Sequence, residues 1–250
     1  MVFLYWFSII IVIFLYAFYL YKARNSIIYG FIIAANTFIL GYLINAILNI
    51  SDIQYYNDYC VLNQSSLNCI FISTIIEEFG RIFVILIFLY FIKNREISLA
   101  ISAGAFFALM EIINNEHEYI FMQIKTIYYI IFKGYNTVNF YPDISVKFLS
   151  FMCTNIFLLN FHYLLSAITI LNIKHKKYNY IYIPIVIHLI YNLFVYSFYN
   201  NVEKPVIYIV LIIPPIMVLF IISIILYKLY NYNPYSFLNI LKFKEKVDDK

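Results

Sequence analysis

Charged residues are sparse and grouped along this chain, and long apolar stretches lie between them. Residues 1 to 21, 25 to 51, 148 to 173, 178 to 202 and 205 to 227 hold no Asp, Glu, Lys or Arg at all. Each reaches the roughly 20 residues that a helix needs to cross a bilayer. Two further stretches, about 69 to 92 and about 97 to 115, are as apolar but carry Glu77, Glu78 and Arg81 in the first and Glu111 in the second. The pattern predicts an all-α polytopic membrane protein. Its seven transmembrane helices are expected at about 2–21, 27–50, 69–92, 97–115, 148–173, 179–200 and 205–228. They form a single domain over residues 1–228, and a basic cytoplasmic tail follows over 229–250. No small-residue cleavage site of the A-x-A kind follows the first stretch, so it reads as a retained helix.

Composition narrows the class. Of 250 residues, 64% are hydrophobic and 12% charged, against about 45–50% and about 25% in soluble domains. A soluble globular protein is excluded, and 5 Gly and 6 Pro exclude a collagen-like chain. The basic residues set the orientation, because cytoplasmic loops keep an excess of them. Lys22 and Arg24, then Lys93 and Arg95, then Lys174, Lys176 and Lys177, then Lys228 and the four tail lysines follow alternate spans. The N-terminus is therefore expected outside and the C-terminus in the cytoplasm. The net charge of +4 reflects this topology and implies the lipid bilayer as partner, with no nucleic acid. Cys60 and Cys69 fall in or at the end of the first outer loop, as a disulfide or as two free thiols. The second outer loop, about 116 to 147, has the mixed pattern of a partly helical interfacial segment.

Ionisable residues inside spans are costly and mark function. Here they are Glu77, Glu78 and Arg81, then Glu111, then His162, then His188, which shares a helix face with Asn192 four residues on. Arg81 is three and four residues from the two glutamates and can pair with either. Glu77 and Glu78 diverge by about 100°, so one can face a cavity while the other pairs with Arg81 or an adjoining helix. Counting about 1.5 Å per residue from the expected boundaries places all of them toward the outer half of the membrane. Carboxylates, imidazoles and an amide are sufficient for hydrolysis by activated water. A glutamate takes the proton, the imidazoles hold a metal such as zinc or position the water, and Asn192 donates to a developing oxyanion. Neither G-x-S-x-G nor H-E-x-x-H is present.

The run Glu77-Glu78-Phe79-Gly80-Arg81, then Phe107 and Glu111 four apart, then His162, then His188 and Asn192 four apart, resembles the PrsW family of intramembrane proteases. That family belongs to a wider group with the CAAX-prenyl endopeptidases and the bacteriocin-processing Abi proteins. Arg81 stands where the PrsW pattern has Lys, keeping the charge but not the ammonium. The resemblance covers about residues 77 to 192. It implies a membrane-embedded peptidase in a bacterial cell membrane, with Glu77 or Glu78 as general base. Glu111, His162 and His188 would then position water or a divalent metal, and Asn192 would donate to the oxyanion. The implied substrate is a membrane-tethered protein, such as an anti-sigma factor, cut near the outer face.

Two other functions fit the same residues. One is a catalytically inactive member acting as a membrane scaffold or immunity protein, its charged cluster locking helices together. The other is a proton-coupled transporter, which should show repeat symmetry or paired broken helices, and the sequence shows neither. His117, Glu116, Glu118 and His175 are expected at solvated surface. The 27 Tyr and 25 Phe are scattered through spans and interfaces, as lipid-facing and belt positions require.

Overall fold

The computed structural model describes residues 2–50, 67–91, 98–112, 144–201 and 204–234. Among these residues the chain is entirely helical with short turns, and no strand occurs. Its helices are α1 (Val2–Lys22), α2 (Ile27–Ile50), α3 (Leu67–Phe91), α4 (Ser98–Ile112), α5 (Ile144–Lys174), α6 (Ile183–Asn201) and α7 (Lys204–Tyr230). Each lies over one of the seven stretches marked by the charge pattern. Two segments, Cys153–Lys174 and Tyr178–Val195, are long and apolar enough to cross a membrane. A third arises if Ile10–Lys22 and Arg24–Gly41, which meet at a 74° bend, are one broken span. Cys60, the side chain of Cys69, most of the 116–147 loop and the tail beyond residue 234 lie outside the described residues.

α5 is the axis of the bundle. From Phe157 to Asn172 every residue except Asn160 is buried, the signature of a helix surrounded by others. α1 and α7 pack along it, α2 packs on α3, and α3 also packs on α6. The outer helices turn large apolar side chains outward, among them Phe14, Tyr90 and Phe220. Monomeric soluble proteins rarely present such continuous apolar surface.

α4 reaches the centre because its residues are small. A Cβ on Gly104 would collide with the backbone of Tyr163 on α5, and one on Gly30 of α2 would collide with Ser102 of α4. Ser26 ties the same seam: its hydroxyl shares a hydrogen bond with Ser98 (2.6 Å), and its carbonyl accepts one from Ser102 (3.0 Å). Small residues of this kind let helix backbones approach closely where packing rather than the hydrophobic effect drives association.

The ends of α5 and α7 are capped and braced together. Lys176 takes a left-handed conformation (φ 53°), with Lys176 N–H donating to Ile173 and Lys177 N–H to Asn172, a Schellman motif. Asn231 after α7 is also left-handed (φ 51°), with its N–H donating to the Tyr227 carbonyl at 2.8 Å in a simple αL cap. The Lys177 ammonium donates to the Leu229 carbonyl (2.7 Å), and the Tyr230 hydroxyl donates to the Asn172 side-chain carbonyl. Beyond the cap the chain folds back, so that the Tyr163 hydroxyl meets both the Tyr232 hydroxyl (2.8 Å) and the Pro234 carbonyl (2.5 Å). Burial pushes the Tyr232 phenol above its ordinary value, partly offset by this bond to Tyr163. It therefore stays protonated and able to donate.

Candidate active site

Four helices bring Glu77, Glu78, Arg81, Glu111, His162 and His188 into one largely buried cluster, with Asn192 one turn beyond it on α6. α3 supplies Glu77, Glu78 and Arg81, α4 supplies Glu111, α5 supplies His162, and α6 supplies His188 and Asn192. Glu78, Arg81, His162 and His188 are buried, whereas the side chains of Glu77 and Glu111 stay 31% and 29% exposed. The divergence of adjacent helical positions accounts for the difference between Glu77 and Glu78.

Arg81 is the hub. Its Nη2 donates to Glu77 Oε1 at 2.7 Å and to His162 Nδ1 at 2.8 Å, and Nη1 lies 2.9 Å from Glu78 Oε1. The Nη1 contact is an ion pair without hydrogen-bond alignment, so Nη1 and Nε are buried donors lacking a hydrogen-bond acceptor. The guanidinium carbon sits 4.2 Å from the Phe107 ring centroid, over its electron-rich face.

The arginine fixes the tautomer of His162. A guanidinium only donates, so Nδ1 must accept and the proton sits on Nε2. Nε2–H then donates to Glu111 Oε2 at 2.5 Å. On the other side of Arg81, His188 Nδ1 lies 2.6 Å from Glu78 Oε1. With Glu78 ionised, Nδ1–H donates and Nε2 keeps its lone pair. The result is two carboxylate–imidazole pairs joined by one arginine. A carboxylate behind an imidazole orients the ring and stabilises its protonated form. The rings of His162 and His188 are 5.9 Å apart, and Phe161 packs edge-on against both.

Asn192 joins the cluster through a partner that the sequence reading missed. Its Nδ2 donates to Thr74 Oγ1 at 2.9 Å, and Thr74 in turn donates to the Ile70 carbonyl. Thr74 is one turn before Glu78 and Asn192 one turn after His188, so α3 and α6 run antiparallel with two polar pairs stacked in consecutive turns. Polar residues four apart on both helices were the signal. Phe107 was quoted only as part of a motif, yet it is the surface on which the arginine rests. Tyr16 of α1 and Tyr191 of α6 lie within electrostatic reach of Glu111.

The expected metal ligands were Glu111, His162 and His188. Both nitrogens of His162 are engaged, by Arg81 and Glu111. The residues whose ligand atoms do come together are Glu77, Glu78 and His188, all within 4.8 Å of one another. Two carboxylate oxygens and an imidazole suit a zinc-like divalent cation. Glu78 Oε2, buried with no hydrogen-bond partner, also fits such a site. The charges agree: Glu77, Glu78 and Glu111 outnumber Arg81, so a cation relieves the excess when both histidines are neutral.

No protein-family profile, no curated protein and no solved structure matches this chain.

Proposed function

We propose that this protein is a seven-span membrane hydrolase of the PrsW type, cleaving a peptide bond of a membrane-tethered protein with water activated by glutamate. The observation that carries the reading is the convergence of two carboxylate–imidazole pairs and a third glutamate from four separate helices. Glu77 is the base: it is partly exposed and its carboxylate is held at one oxygen by Arg81. Glu78 accepts the Nδ1 proton of His188, which orients the ring and leaves the Nε2 lone pair free for a cation. Glu111 and His162 hold the opposite wall in place. A divalent cation such as zinc would be held by Glu77, Glu78 and His188, and would supply carbonyl polarisation and a more acidic bound water. Asn192 is engaged by Thr74 through one amide proton, which leaves its second for a developing oxyanion.

Seven spans with the N-terminus outside are the topology we assign. The alternation of basic residues between loops supports the orientation, and the antiparallel register of α3 and α6 is compatible with either side. A proton-relay transporter fits less well, because the link between the two imidazole pairs is an arginine, which does not release its proton. A purely structural lock fits less well because it leaves buried atoms of Glu78 and Arg81 unsatisfied.

Proteome-wide mapping of new N-termini in membranes tests the reading. Cells producing the wild-type protein should gain cleaved N-termini in membrane-tethered proteins close to the outer face. Glu77→Gln and Glu78→Gln, made at equal levels and eluting as the same folded species, should lose them. The same new N-termini in all three samples would overturn the proposal.

A further inference from the structure

At Tyr163 the chain beyond α7 is hydrogen-bonded to the helix that carries His162. The Tyr163 side chain is completely buried. Its hydroxyl is held by the Pro234 carbonyl (2.5 Å) and the Tyr232 hydroxyl (2.8 Å). The ring of Tyr163 packs edge-on against Tyr19, whose own hydroxyl donates to Asn160 one turn away on α5. The backbone of Tyr163 lies against Gly104 of α4. Gly104, Phe107 and Glu111 follow one another at three and four residues, so they share one face of α4. The same α4–α5 contact thus carries the anchored tyrosine and, through the residue just before it, the Glu111–His162 pair.

We propose that Tyr163 is a positioning residue, and that the turn Asn231–Pro234 is the anchor that holds it. The anchor fixes how α5 sits against α4 and thereby the short bond from His162 to Glu111. Use of this bond in catalysis rests on the hydrolase reading above; the anchoring itself does not.

The chain has only four histidines, which makes His162 accessible to spectroscopy. In full-length protein labelled with ¹⁵N in the imidazole rings and held in detergent micelles, the Nε2 proton shared with Glu111 should give a strongly deshielded, slowly exchanging signal. Its absence in His162→Gln assigns it. Tyr163→Phe keeps the ring and removes the hydroxyl, and it should broaden or abolish this signal. Tyr232→Phe removes one of the two partners, should weaken the signal, and decides the matter if Tyr163→Phe does not fold. Tyr230→Phe, which removes a bond of the same brace to Asn172 instead, should leave it intact. An unchanged signal in the folded Tyr163 and Tyr232 variants overturns the proposal, as does equal loss in Tyr230→Phe. With a cleavable substrate, Tyr163→Phe should lower kcat about tenfold at unchanged KM, since displacement of a positioned group by about 1 Å costs up to a hundredfold. Signal loss with wild-type cleavage leaves the anchor standing and overturns the part given to His162 in the reaction.

Discussion

Arg81 has no exposed atoms and meets Glu77, Glu78, His162 and Phe107 through one planar group. Removing it strands buried carboxylates, and losing one partner of a buried pair costs about 3–5 kcal/mol. Arg81→Met should therefore lower the thermal midpoint sharply in micelles. Arg81→Lys should fall between it and the wild type, because a point charge cannot span three acceptors as a fork does. Adding Glu78→Gln to Arg81→Met should restore part of the loss, since the stranded charge is then gone. Equal midpoints for Arg81→Met and wild type would remove the arginine from its central place. Much of this was legible beforehand: spacing alone offered Arg81 to both glutamates, and adjacency alone separated Glu77 from Glu78. The arginine–histidine bond was not legible, because it joins residues 81 positions apart. The choice of Glu77, Glu78 and His188 over His162 as the ligand group depends on that bond.

The sequence also marked where helices lie, because charge is costly in lipid and its absence is easily seen. What it did not mark was their mutual approach. The central position of α4 rests on Gly104 and Ser102 rather than on any apolar periodicity. Nothing in the sequence singles out Thr74, whose partner Asn192 is set opposite it by α6. Replacing Gly104 with Ala puts a methyl group into the backbone of Tyr163, and overpacking of this kind costs about 1–3 kcal/mol. Gly41, whose added Cβ would meet Ile76 at an ordinary 3.9 Å, is the matching control. Thermal unfolding should show a clear loss for Gly104→Ala and little change for Gly41→Ala. Equal effects would mean that the α4–α5 approach has slack.

At the scale of the whole molecule, the polar cluster is embedded in an apolar core, and the outward faces of the described helices are also apolar. Among the described residues, Lys22, Arg24, Lys174, Lys176 and Lys228 gather at helix C-termini. Cations there complement the negative ends of the helix dipoles as well as the cytoplasmic side of a membrane. A fluorescent protein fused after Lys250 should fluoresce in the cytoplasm. A phosphatase that works only outside the cytoplasm should stay silent at that position, and an active one would reverse the assigned orientation. Glu77 and Glu111 keep part of their side chains exposed, whereas Arg81 and both histidines are buried, so the rim of the cluster is negative and its fixed positive charge lies behind that rim. A small cation brought up to the rim is attracted and an anion repelled, whatever chemistry follows.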